Sequence, residues 1–171
     1  MKSKFSPLVV IRYFFKFHID EKYEIIGLPL LISCFLIFFV NINMELVNIL
    51  LVSLSIFIGF LLNLMLLSFN LKDTNAKPIE VNRNEWNIGN FLIEYHVTLS
   101  FEILITVILV IFLLLAALLH ENLMVLLSAE IIFGIKILFN FIIIFLISLF
   151  FLVILRVLKF GFILIKYHLE N

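Results

Sequence analysis

Two charged side chains sit where charge costs most. Glu130 and Lys136 lie in the apolar block Met124 to Tyr167, and an ionisable residue inside a membrane segment is by default a candidate for function. Six residues apart, they are separated by roughly 240° around a helix, so they cannot form an ordinary i,i+4 pair. Each must reach the interface along its own stem or find a partner on another helix. Glu102, at the opposite end of the preceding apolar run, faces the same choice. Asn63 and Asn140 are amides in apolar surroundings and suit hydrogen bonds between helices, worth about 0.6 to 2 kcal/mol each. With Glu130 and Lys136 they make up the candidate pore or inter-helix polar set.

Other chemistry is scarce. There is no glycine-rich phosphate loop, no Gly-x-Ser-x-Gly elbow and no paired-histidine metal signature. The single cysteine, Cys34, lies in an apolar run and offers neither a disulfide nor a thiol pair. His18, His96, His120 and His168 fall near segment boundaries, where an amphipathic ring is at home. Neither a catalytic set, a metal site nor a cofactor is expected, and the chain reads as non-enzymatic.

The elements that must position these residues follow from composition. Of 171 residues, 64% are hydrophobic and 14% charged, against roughly a quarter charged in soluble domains. The fold class expected is an all-α integral membrane protein with four transmembrane helices, arranged as two hairpins with short turns. The spans are read at about 25–41, 46–69, 99–119 and 137–155, each near the ~20 apolar residues that cross a bilayer. Asn41 to Glu45 and His120 to Asn122 serve as the two turns. Short turns join antiparallel neighbours, so the first two helices should pack on each other, with Ser53, Ser55 and Gly59 as the close-contact stripe. A five-span alternative would break the last block near Asn140. The two halves are too unlike for an internal repeat to be asserted.

Between the hairpins lies the interval 70–90, which contains Lys72, Asp73, Lys77, Glu80, Arg83 and Glu85 together with Pro78, Trp86 and Gly89. Lys72, Lys77 and Arg83 are the candidate partner-docking residues. Interfacial segments are read at 7–20, 91–98, 123–136 and 156–167. In the first, Ser6 and Pro7 suit a helix start. Arg12 and Lys16 fall one turn apart opposite a broad apolar face, so these bases turn toward anionic headgroups, as do Arg156 and Lys159. No cleavage pattern for a signal peptide appears.

Charge sets the orientation. Five Lys and Arg precede the first span, three lie in the central interval and three follow the fourth span, with only Lys136 elsewhere. By the positive-inside rule those segments are cytoplasmic, giving a multi-pass inner (plasma) membrane protein with cytoplasmic N- and C-termini. The expected partners are the lipid bilayer, further copies of the chain in a homo-oligomer, and a cytosolic protein; direct nucleic acid binding is not expected.

In size, span number, short outer turns and the cytoplasmic interval 70–90, the chain resembles the small four-helix membrane subunits of bacterial antiphage systems, such as the membrane component of Kiwa or the membrane accessory proteins of some RNA-targeting CRISPR loci. That resemblance implies a membrane sensor or effector that recruits a cytosolic partner or perturbs the membrane. A small ion channel, pore or transporter subunit is the alternative.

Overall fold

A computed structural model describes residues 6–40, 42–70, 79–81, 84–86, 88–122 and 129–170. Five helices follow in chain order: α1 (Pro7–Phe17), α2 (Lys22–Leu36), α3 (Met44–Asn70), α4 (Ile88–Asn122) and α5 (Ala129–Glu170). Two short strands, β1 (Ile79–Val81) and β2 (Asn84–Trp86), pair antiparallel just before α4, with Glu80 opposite Glu85. The fold is therefore helical apart from this hairpin, which the all-α reading lacked.

Local chemistry explains most of the boundaries. Pro7 occupies the first turn of α1, where its missing N–H leaves nothing unsatisfied. Asn43 caps α3: its Oδ1 accepts from the Leu46 backbone N–H at 2.9 Å. Within α2, Pro29 removes one backbone donor, and Ser33 Oγ donates to the Pro29 carbonyl at 2.5 Å.

Among the described residues, three helices are long and apolar enough to cross a membrane: Met44–Ser68 in α3, Gly89–Leu118 in α4 and Phe133–Ile165 in α5. The first expected span, 25–41, is not among them. α2 stops at Leu36 after 15 residues, or about 22 Å at 1.5 Å per residue, short of a hydrocarbon core of about 30 Å. The expected interfacial segments before the third span and after the fourth are also redrawn. Residues 91–98 continue into the apolar run as one helix, α4, and residues 156–167 are the last turns of α5. Of segment 123–136, residues 129–136 open α5, while 123–128 lie outside the described residues. The turn placed at His120 to Asn122 is helical, since α4 runs to Asn122. α5 is unbroken for 42 residues, which removes the five-span alternative: nothing near Asn140 interrupts the backbone ladder.

Packing departs from the hairpin expectation. α2 lies against α5, α3 against α4, α4 against α5, and α1 against α4. The principal neighbour of α2 is therefore not α3, the next helix in sequence. Ser55 and Gly59, expected in a tight α2–α3 seam, are exposed, and Ser55 Oγ donates to its own helix at the Leu51 carbonyl. The main core joins Phe14 of α1, Ile25 of α2, Val47 and Leu54 of α3, Ile105, Leu109 and Leu113 of α4, and Ile143 and Val153 of α5. A second cluster gathers Leu61, Tyr95, Leu99 and Val157 where α3 ends, α4 begins and α5 approaches its C-terminus. Long apolar side chains on the outside of the bundle, among them Ile49, Val52 and Ile56 of α3, are exposed, as a helix facing lipid requires.

Candidate functional site

α1 ends because the chain leaves helical geometry at His18, whose backbone N–H still reaches the Phe14 carbonyl at 3.1 Å. Four residues later α2 begins. The short connection is pressed onto α4 by Phe14, whose ring stacks on Phe101 with centroids 3.8 Å apart and planes 13° apart. As a result, His18 is carried inward to 6% exposure.

Around His18 two helices and the α1–α2 connection contribute polar groups. Arg156 of α5 lies with Nη1 3.2 Å from His18 Nδ1. A guanidinium can only donate, so Nδ1 is the acceptor and the ring proton sits on Nε2, facing Thr98 Oγ1 of α4 at 3.5 Å. Arg156 also forms an ion pair with Glu21 of the α1–α2 connection. Glu94 of α4 approaches Nδ1 of the same ring at 3.9 Å, and Glu21 does so at 3.8 Å. The arrangement is a latch: one arginine from near the end of the chain holds the α1–α2 junction, with a histidine as the group between them.

Burial lowers the His18 pKa from 6.5 to about 4, the Arg156 charge adds to that effect, and Glu21 opposes it. A folded-state value below the unfolded one means that the unfolded chain binds the extra proton. The stability held by neutral His18 is therefore complete above about pH 6.5 and is lost as pH falls toward 4. Thermal or chemical unfolding in detergent should show that acid limb, and His18→Gln should flatten it.

From the latch a polar stripe runs up α4. Glu94, Thr98, Glu102 and Thr106 recur every four residues on one face, and all four are buried. Thr98 Oγ1 donates to the Glu94 carbonyl at 2.9 Å and Thr106 Oγ1 to the Glu102 carbonyl at 2.7 Å, the usual way for hydroxyls to be satisfied in an apolar helix. Glu102 is different: it is 0% exposed, and neither carboxyl oxygen has a hydrogen-bond partner. It does not reach an interface, which was one of the two choices open to it. Beside the stripe, Ser68 of α3 meets the His96 ring at 3.3 Å, a second polar contact between helices at the same end.

The residues singled out from sequence are placed as follows. Arg12, Lys16 and Lys159 are exposed, whereas Arg156, read with them as a membrane-surface base, is only 19% exposed at its side chain and serves the latch. Asn63 is exposed on α3, and Asn140 is half-buried and Lys136 exposed on α5. They share no layer: Asn63 lies near the Leu61–Val157 end, and Asn140 is 17 residues from Val157, about 25 Å along α5. Glu130 falls in the first turn of α5, but its side chain, and all of Lys72, Lys77 and Arg83, lie outside the described residues. Sequence reasoning missed Glu21, Glu94 and Thr98 and gave His18 no role beyond the interface. The signal available for the stripe was the four-residue spacing of polar groups from Glu94 to Thr106 in an otherwise apolar run. Among the described residues no group of three or more His, Cys, Asp and Glu is arranged to hold a metal ion. Comparison with known proteins finds no matching family model, no matching curated protein and no matching solved structure.

Proposed function

We propose that the chain is a non-enzymatic, four-pass, oligomeric inner-membrane protein, basic end in the cytoplasm, that acts as a sensor or effector by engaging a cytosolic partner through the interval 70–90. The observation that carries this reading is the convergence at one end of the bundle. The α1–α2 junction meets Glu94, Thr98 and Arg156 there, and the end of α3, the start of α4 and the late turns of α5 share the Leu61–Val157 cluster. In this reading the basic segments lie together at that end, as the positive-inside rule requires of one cytoplasmic face. In this reading α2 and the residues after it form the first, short pass, thinning the bilayer locally or tucking under neighbouring copies. Oligomerisation is supported by the exposed amide of Asn63 and the small residues Ser55 and Gly59 on the outer face of α3, which a second copy would cover better than lipid. The setting suggested by the resemblance to small defence-system membrane subunits is antiphage defence.

The partner would be read through charge. The interval leads through the β1–β2 hairpin into α4, the helix that carries Glu94 and Thr98 of the latch. Replacing Lys72, Lys77 and Arg83 by Gln should abolish partner co-purification and the associated activity while leaving membrane insertion normal, and raised salt should weaken the wild-type complex in the same direction. The second reading, an ion channel or transporter subunit, is favoured by one specific observation, the buried polar stripe on α4. Loss of an ion leak in the Glu130→Gln, Lys136→Gln double variant, with partner binding untouched, would select it.

A further inference from the structure

Glu102 is the one polar side chain among the described residues whose buried oxygens both lack a partner. It sits in the middle of the α4 stripe, one turn beyond Thr98 and one turn before Thr106, with all three residues fully buried. An isolated carboxylate in apolar surroundings is strongly disfavoured unless a positive charge or a proton accompanies it. Among the described residues, the packed elements offer no fixed cation for that purpose. On α1, Arg12 and Lys16 are exposed; α3 is uncharged from Leu46 to Phe69; Arg156 of α5 is engaged by Glu21 and His18; and Lys159 is exposed. The remaining titratable groups nearby, Glu94, His96 and His18, stand toward the latch end of the stripe.

We infer that Glu102, with the hydroxyl oxygens of Thr98 and Thr106 above and below it, is a binding site for an exchangeable small monovalent cation, a proton or a sodium ion. Each threonine gives its proton to a helix carbonyl, which leaves lone pairs on both hydroxyl oxygens to face a cation. The route in is the stripe itself. Glu94 and Thr98 lead from Glu102 to His18 and Arg156 at the end where the basic segments emerge, about 12 Å along the helix from Glu94 to Glu102. Beyond Thr106 the core continues as Leu109, Leu113 and Ile143, all at 0% exposure. The stripe therefore leads from Glu102 toward the latch and ends against packed apolar core on the other side, a place to load a cation rather than a finished channel. This inference is independent of partner docking.

Infrared difference spectroscopy on the full chain in lipid tests it without a partner. In a sodium-free potassium buffer, a pH step should interconvert a carboxyl and a carboxylate band that is absent from Glu102→Gln and retained, shifted, in Glu102→Asp. If sodium is the ligand, replacing potassium by sodium at constant pH should also convert the carboxyl band to carboxylate; if the proton alone binds, only the pH step should do so. His18→Ala, which opens the latch end, should speed the exchange without removing the band. Wild-type and Glu102→Gln spectra that coincide at every pH and in both salts would overturn the assignment, as would a Glu102 band that responds to neither.

Discussion

Arg156→Ala should cost roughly 2 to 3 kcal/mol of stability in mild detergent, the scale of a buried hydrogen bond to a charged group, although Arg156 lies far along α5 from the start of the chain. The side chain holds two acceptors at once, Glu21 and His18 Nδ1. Removing it leaves His18 as a buried ring with an unmet acceptor, which is the costly part. The Glu21 contact contributes less, because that carboxylate is 51% exposed and solvent screens it. Glu21→Ala alone should therefore cost under about 1 kcal/mol, and the two substitutions together should cost less than the sum of the singles, since they share one ion pair. The variant should also change the pH profile. The Arg156 charge helps to hold the His18 pKa down, so without it the folded value lies closer to 6.5, and the loss of stability on acidification, which still begins near pH 6.5, should be smaller and level off at higher pH. Unfolding midpoints measured between pH 4 and 8 report both effects; a variant with wild-type stability and an unmoved acid limb would show that the latch is not formed.

Phe14→Ala is expected to be equally severe, at about 3 kcal/mol, for a different reason. Phe14 is fully buried and stacks on Phe101 while its edge meets Phe15, so truncation leaves a cavity between α1 and α4 that neither helix can close. The same contact seats the α1–α2 junction, and the variant should therefore expose His18 and bring its pKa back toward 6.5. Leu8→Ala, on the exposed side of the same helix, is the control and should change stability by less than about 0.5 kcal/mol. Comparable losses for the two would mean that α1 is held by the membrane alone and not by α4.

These two residues show where sequence reading stops. Helical membrane architecture was legible because it depends on runs of apolar residues, a local property. So was the start of α1 at Ser6 and Pro7, whereas the Asn43 cap and the start of α3 at Met44 fall inside the expected turn Asn41 to Glu45. The neighbours of each helix were not legible. A short connection between α2 and α3 suggests that they pack together, yet α2 lies on α5 and α3 on α4, a choice made by shape complementarity along whole helices. Polarity is a poor guide to the helix ends: His120 and Glu121 continue α4, and Arg156 and Lys159 continue α5, because isolated charges do not interrupt a backbone ladder. The site was the hardest part. His18 and Arg156 are 138 residues apart, and no local pattern joins them. The α4 stripe is legible in the sequence, since Glu94, Thr98, Glu102 and Thr106 recur at helical spacing, but only when Glu102 is taken together with its neighbours one turn away.

The proposed four crossings, with α2 as a short first pass, can be tested directly. Single cysteines at Ser3, Asn43, Thr74 and Asn171, each in a Cys34→Ser background, can be labelled in intact cells and in inverted vesicles with a membrane-impermeant maleimide. Positions 3, 74 and 171 should react only in inverted vesicles and position 43 only in intact cells. If positions 3 and 43 instead react from the same side, α2 does not cross, the chain has three spans, and the common cytoplasmic face on which the proposed function depends does not exist.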